Sequence, residues 1–363
     1  MTHEAAIVGA GAAGAGAAYA LRKTDVEVTV LEKSRGVCGR AATRRKDGCV
    51  YDHGANYVKS DNERVTRLVE GALDSEGLVD ITEPVWTFDA DGEISEGEDR
   101  DEHKWTYEDG ITQLAKRLFD RTDADVRTET RIEAIERNGE GHRSVDNNDD
   151  GDDAGTGSGW RPVDTDGEGT GRYDVVLLTP PAPQTAELVG ETALDEDLRA
   201  DLVSEIEAVG YRTQLTAVLH YPFAIDRPYY ALVNTDHEHD IAWLSREECK
   251  SGHVPDGECL LIAQMAPNWS TERYDEPGEQ ITDAAADLVG KLFDDERFAD
   301  PDWTDVQPWR FAIPDNGADA DVLSRAEGEG MFFAGDWVVG EGRVHEALGN
   351  GLDAGERIAE RLG

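Results

Sequence analysis

The stretch AAIVGAGAAGAGAAYAL, residues 5–21, constrains the fold more than any other part of the chain. An apolar run leads into Gly9-x-Gly11-x-x-Gly14, and small residues follow at helical spacing. Residues 4–8 read as a strand, 12–23 as a helix, and the β-branched alternation of VEVTVL (26–31) as a second strand, which makes a β-α-β unit. In such a unit Gly9 permits the tight turn, Gly11 lets a pyrophosphate approach the backbone, and Gly14 lets the helix lie close on the strand. Free N–H groups and the helix dipole around Ala13 favour the anion. Glu32 ends the second strand, 18 residues after Gly14. Its carboxylate accepts hydrogen bonds from ribose hydroxyls and repels a ribose phosphate, which argues for a dinucleotide other than NADP.

A chain of 363 residues exceeds what one core usually serves, so two packed domains are expected. Asp and Glu number 78 against 35 Lys and Arg, a formal charge of −43. Nucleic acid and anionic membrane surfaces would repel such a chain. The acidity, with only 8 lysines, reads as adaptation to a high-salt solvent, where screening removes most self-repulsion. Cys38, Cys49, Cys249 and Cys259 show no Cys-x-x-Cys spacing, which fits a reducing compartment. No signal-peptide pattern and no membrane-length apolar run is read, so a cytoplasmic location is expected.

Further along, NERVTRLVEGAL and ITQLAKRLFD read as helices and ADVRTETRIEAIER as two short strands. YDVVLLTPPAP (173–183) has the apolar character of a buried parallel strand stopped by prolines. Residues 138–171, rich in Gly, Asp and Asn, offer little to bury and read as a flexible acidic insertion. From about 190 to 312 the texture changes: a helix-like DEDLRADLVSEIEAV precedes strand-like YRTQLTAVLHY, PYYALV, IAWL and CLLIAQMA. The tail returns to a strand, a Gly-rich turn and a long final helix.

The loop EKSRGVCGRAATRR (32–45), followed by YDHGANYV (51–58), resembles the second flavin-contact motif of the amine-oxidase-like flavoprotein superfamily, and within it the renalase-like group. FFAGDW (332–337) and GRVHEALGNGLDAGERIA (342–359) resemble that superfamily's closing Gly-Asp motif and flavin-facing final helix. LLTPPAPQTAELV (177–189) and PWRFAIP (308–314) support the narrower group. The resemblance implies FAD as cofactor, with Arg40 and Arg35 at the pyrophosphate and Gly54, Ala55 and Asn56 along the flavin. It places Gly335 and Asp336 at the ribityl-phosphate region. The helix start from Ala347 to Gly351 aims its positive end at the pyrimidine. Lys33, Gly39, Asp52 and Arg131 are assigned to the same cofactor. Three positions depart from the pattern: Cys38 and Glu346 stand where Gly is usual, and Asn350 where Ser is usual.

The fold implied is α/β. A discontinuous Rossmann-type FAD-binding domain (1–60, 107–190 and 318–363) joins a mostly antiparallel sheet-plus-helix substrate domain (61–106 and 191–317). His53, Asn56 and Trp309 are the catalytic candidates, His53 as a hydrogen-bonding or a proton-transfer group. Tyr211, Trp243, Trp269 and Trp309 are divided between core and pocket, since a flat substrate wants one or two stacking partners. No metal is expected. DNNDDG (146–151) lacks the closing Glu of a calcium loop, and DHEHD (236–240) reads as a polar loop. The reaction implied is hydride transfer from a small-molecule donor to flavin, reoxidised by dioxygen with release of hydrogen peroxide. By the resemblance the donor is an aberrant dihydronicotinamide or an amine. The alternatives are an amine oxidase, a carotenoid-type desaturase or a low-turnover redox sensor. Oligomeric state is not legible.

Overall fold

The computed structural model describes residues 2–98, 102–137 and 159–363. Five strands form a wholly parallel sheet in the spatial order Asp125–Arg127, Val26–Leu31, His3–Val8, Val175–Leu178, Met331–Phe333. Its members come from the start, middle and end of the chain, so this layer is assembled from distant segments. The central strands are buried on both faces, which explains why AAIV and VVLL read as unbroken apolar runs. The helix Ala12–Leu21 follows the first strand and packs against the final helix Val344–Leu362.

That helix pair approaches unusually closely. A Cβ on Gly351 would lie 2.0 Å from the Ala13 carbonyl oxygen, so only glycine fits there. Gly351, assigned above to the cofactor, therefore acts in helix packing. Gly14 acts likewise, since its Cβ would meet the Gly9 carbonyl at 2.0 Å.

A second sheet of seven strands runs Trp303–Pro314, Tyr211–Tyr221, Cys259–Met265, Ile241–Arg246, Ala231–Asn234, Val85–Phe88, Ile94–Ser95. It is antiparallel except between Ala231–Asn234 and Val85–Phe88. The amphipathic helix Gly278–Phe293 covers one face and shares a core with Leu215, Leu261 and Ile241. A third sheet of three strands, Val58–Lys59, Lys104–Tyr107 and Leu78–Asp80, bridges the two layers. Val65, Leu68, Val69, Leu73 and Trp105, read from the sequence with the substrate domain, bury their side chains in the core around Ala12–Leu21. The helix expected over 62–73 is α-helical over Glu63–Arg67 and widens to π geometry over Leu68–Ala72.

Trp160–Asp164, inside the stretch expected to be a flexible insertion, forms a strand antiparallel to Ile132–Arg137 and fully buries Trp160. The apolar indole supplies the burial that the surrounding Gly and Asp residues lack. The DNNDDG segment lies outside the described residues. No helix among the described residues is long and apolar enough to cross a membrane.

Candidate active site

One cavity of about 1980 Å³ runs from the parallel sheet to the seven-stranded sheet, larger than the usual volume for a single small ligand. At one end lie Gly9, Gly11, Ala13, Glu32, Lys33 and Arg131. Arg40, Gly39, Gly335 and Asp336 line its middle, with His53, Gly54, Ala55, Asn56 and Ala347 beyond. Trp309, Trp243 and Gln264 close it from the seven-stranded sheet. Fourteen of the eighteen expected cofactor contacts thus line one continuous wall, although they span more than 330 residues of chain.

The dinucleotide end is prepared in the way a β-α-β unit demands. Gly9 takes φ +104°, a conformation that excludes most side chains, and turns the strand into the helix. Gly11 caps that helix without offering a side chain to its first N–H groups. A Cβ there would project into open space, so the backbone is bare towards the cavity. Glu32 is buried; its Oε2 accepts from the Ala10 N–H at 2.8 Å and its Oε1 from the Ser34 N–H at 2.7 Å. Those two bonds fix the carboxylate and leave lone pairs for a ribose. Lys33 donates to Gln184 Oε1 at 3.3 Å, and burial lowers its pKa. Arg40 pairs with Asp336 Oδ1 at 2.7 Å and donates to the Phe311 and Ala312 carbonyls. The Gly335 N–H donates to Asn350 Oδ1 at 2.9 Å, so the unusual Asn ties the final helix to the Gly-Asp turn. A bare glycine backbone at a helix N-terminus, a fixed acid at the end of the second strand and an Arg-Asp pair farther along the cavity suit FAD.

The turn 52–57 is held from both layers. The Ala55 N–H donates to the Arg40 carbonyl at 3.0 Å, and a Cβ on Gly54 would come within 2.0 Å of that same oxygen. From the other side, Gln264 Nε2 donates to the Gly54 carbonyl at 2.6 Å and Trp309 Nε1 to the His53 carbonyl at 3.3 Å. Ser245 Oγ donates to Asn56 Oδ1 at 2.8 Å. His53 is 3% exposed, and its Nδ1 has no hydrogen-bond partner among the described residues. Burial first, then the Arg44 charge, lowers its pKa to about 4. It is a neutral, weakly basic imidazole at physiological pH.

Asp52 does not line the cavity. It is fully buried beneath the turn, where Oδ1 accepts from Thr43 Oγ1 at 2.7 Å and the Ile111 N–H at 2.9 Å. Its Oδ2 accepts from Thr106 Oγ1 at 2.9 Å and Lys250 Nζ at 3.0 Å. Lys250 also meets Glu247 Oε1 at 2.7 Å, and Glu247 Oε2 faces His253 Nδ1 at 2.9 Å. His253 Nε2 faces the Tyr107 carbonyl at 2.9 Å. Both ring nitrogens thus face acceptors. The result is a buried tetrad of two acids and two bases. Burial alone would raise Asp52, but Lys250 and His253, with the Thr43 and Ile111 hydrogen bonds, outweigh it and hold the carboxyl below its ordinary range. Burial would lower Lys250, and Asp52 and Glu247 outweigh that and raise it.

Some expectations fall elsewhere. Arg35 is exposed and away from the cavity wall, because the chain turns outward between Lys33 and Cys38. Cys38 adopts φ +80°, so the position does ask for glycine geometry, and burial pushes its thiol up to about 12. Glu346 does not line the cavity, since its neighbours His345 and Ala347 take the inward positions. Trp243 and Trp309 are wall residues, whereas Trp269 is core. In DHEHD, His239 Nδ1 accepts from the Ile241 N–H at 3.0 Å, which is loop capping. Reading the sequence missed Gln264, Ser245, Lys59, Lys104 and the tetrad. Gln264 alone carried a signal, as the one polar residue inside the apolar run CLLIAQMA.

Comparison with known proteins agrees with this geometry. Residues 7–72 match a family described as an NAD(P)-binding Rossmann-like domain, and residues 88–359 match the flavin containing amine oxidoreductase family. Among solved structures, a protein from Exiguobacterium sp. 255-15 described as a protoporphyrinogen oxidase is 16% identical, with 99% of each chain covered and a TM-score of 0.76. Cyclohexylamine oxidase from Brevibacterium oxydans IH-35A is 15% identical, with both chains fully covered and a TM-score of 0.68. Wild-type putrescine oxidase bound to putrescine is 12% identical over 99% of this chain and 100% of that one, with a TM-score of 0.70. At these identities the likeness is one of fold. The family match spans most of the chain, and the protein therefore belongs to the flavin-containing amine oxidoreductases and is an FAD-dependent oxidoreductase.

Proposed function

We propose that this enzyme is a renalase-like oxidase whose donor is a small dihydronicotinamide nucleotide. The net reaction consumes donor, one proton and dioxygen and yields the oxidised nicotinamide and hydrogen peroxide. When bound, FAD supplies the two-electron relay between donor and dioxygen. The chain's residues position and exclude. Gly54, Ala55 and Asn56, with Arg40 and the final helix start at Ala347, would hold the cofactor. Trp309 and Trp243 would flank a flat donor, and neutral His53 would orient the turn without moving a proton.

The observation that carries this reading is the charge of the cavity wall. Among the described residues it holds eight Lys and Arg (33, 40, 44, 59, 104, 131, 310, 343) against seven Asp and Glu (32, 96, 98, 102, 133, 187, 336). The whole chain holds 35 against 78. A protein so acidic has kept a near-balanced interior, which favours an anionic donor over a cationic amine. The second reading, amine oxidation, draws on the family and on the cavity-lining Tyr57 and Trp243, whose ring centroids lie 6.2 Å apart. A membrane-docked desaturase is disfavoured, as Val339 is the single exposed large hydrophobic among the described residues.

Anaerobic titration of the FAD-loaded protein decides between the readings. Dihydronicotinamide isomers should bleach the flavin, and readmitted air should return one hydrogen peroxide per donor. Bleaching by primary amines, with none by any dihydronicotinamide, would overturn the proposal.

A further inference from the structure

The strand Val58–Lys59 leaves the flavin turn and pairs antiparallel with Lys104–Tyr107, with Lys59 directly opposite Lys104. Directly opposed residues share a face, and two like charges there repel each other. This chain has only 8 lysines, and it places three of them, Lys33, Lys59 and Lys104, on the cavity wall. Lys59 is compensated, by Glu102 Oε2 at 3.0 Å and more distantly by Asp61 at 3.7 Å. Lys104 is 7% exposed and its ammonium has no hydrogen-bond or ion-pair partner among the described residues. An ammonium on the cavity wall with no counter-charge attached is available to an anion that enters the cavity.

Its location says which anion. Lys104 and Thr106 lie two residues apart on one strand, so their side chains leave the same face about 7 Å apart. Thr106 holds Asp52, the residue that begins the flavin turn. Asn56 and Tyr57, both lining the cavity, stand three and two residues before Lys59. The opposed lysines thus sit at the flavin-turn end of the cavity, away from the Gly9–Gly11 and Glu32 end that suits the cofactor's adenosine half.

We propose that Lys104, assisted by Lys59, is an anion-binding subsite that takes a phosphate or carboxylate of the substrate. The proposal rests on the oxidase reading of the cavity and deepens it: the substrate is an acid, held by its anionic group beside the turn. Lys104 is a binding residue here and moves no proton.

The test measures binding to the FAD-loaded protein by calorimetry, with one matched probe pair and one matched trio. Nicotinamide mononucleotide and nicotinamide riboside differ by one phosphate. Phenyl phosphate and benzoate are compared with benzyl alcohol. In the wild type the phosphate probe of each set should bind at least tenfold more tightly than its phosphate-free alcohol partner. Lys104→Met should bring that ratio close to one, Lys104→Arg should keep most of it, and Lys59→Met should reduce it in part. Retained flavin absorbance shows that each variant is folded. A benzoate preference without a phosphate preference identifies a carboxylate as the natural group. Discrimination within the phenyl set, with no binding of either nicotinamide probe, leaves the subsite standing and removes the nicotinamide donor. No discrimination in either set, or a ratio unchanged in Lys104→Met, overturns the subsite.

Discussion

Lys250→Met is the substitution that most directly tests how the flavin turn is held. Met nearly matches the length of Lys, so it adds little cavity and removes mainly charge. Lys250 is 1% exposed and touches Asp52 Oδ2 at 3.0 Å and Glu247 Oε1 at 2.7 Å. Without it two buried carboxylates face one another with His253 as the remaining base. Removing one partner of a buried pair costs about 3–5 kcal/mol. Asp52 keeps its Thr43, Thr106 and Ile111 donors, so the low end applies, about 3 kcal/mol, or roughly a hundredfold in the folded-to-unfolded ratio. Urea unfolding at neutral pH measures this. The pH dependence has a definite sign. Asp52 is lowered from 3.8, so its share is present above that value and lost as pH falls through the folded pKa. Lys250 is raised from 10.5, so its share is present below that value and lost as pH rises through the folded pKa. The gap between wild type and variant should therefore be flat from about pH 5 to 10 and narrow outside that window. Pairing the change with Glu247→Gln, which removes a charge of the opposite sign, should recover at least about 1 kcal/mol. A loss below about 1 kcal/mol for Lys250→Met, or a double variant that is simply additive, would refute the charge-balance argument.

Three further outcomes follow from the same geometry. His53, lowered to about 4 from 6.5, makes the folded state lose stability as pH falls from 6.5 towards 4; His53→Gln should flatten that slope, worth up to about 3 kcal/mol, and leave the pH profile of turnover above pH 5 unchanged. Gly351→Ala drives a methyl into the Ala13 carbonyl and should cost roughly 2 kcal/mol in thermal or urea unfolding, with weaker FAD retention because both helices start at the cavity. Cys38, buried and raised to about 12, should resist iodoacetamide at pH 8 until urea unfolds the chain; fast labelling of the native protein would contradict its placement.

Much of the parallel layer was legible because its determinants are local. Gly9, Gly11 and Gly14 announce a turn and a helix by spacing alone, and AAIV and VVLL announce burial by lacking polar residues. The distant segments could be joined because each carries its own cofactor-contact pattern. The charge tetrad was illegible for the opposite reason. Nothing in CVYDHG hints that Asp52 faces inward to Lys250, nearly two hundred residues away, and a charged residue read in isolation is assumed to face water. Lys104 was hidden likewise: only pairing with Lys59 makes its charge informative. Arg35 shows the converse error. Its neighbours Lys33 and Arg40 both reach the cavity, but loop direction, which a motif does not encode, carries Arg35 outward.

The turn 52–57 has few bonds within itself and many to its surroundings. The Arg40 carbonyl, in the loop after the second parallel strand, grips it from the cofactor side. Gln264, Trp309 and Ser245, on three strands of the seven-stranded sheet, grip its carbonyls and Asn56 from the other. The tetrad below adds the segments 104–111 and 247–253 to the same knot. Such a turn has a defined shape only when both layers are docked. Cofactor placement and docking are therefore one equilibrium: a ligand that binds only the docked form stabilises it by mass action, and a substitution that loosens docking lowers apparent cofactor affinity by the fraction of molecules no longer competent. The cost of burying four titratable groups at this seam makes sense in those terms. Dispersed apolar contacts would hold the layers together as well, but would tolerate sliding. Paired charges with named partners fix one register of the two layers.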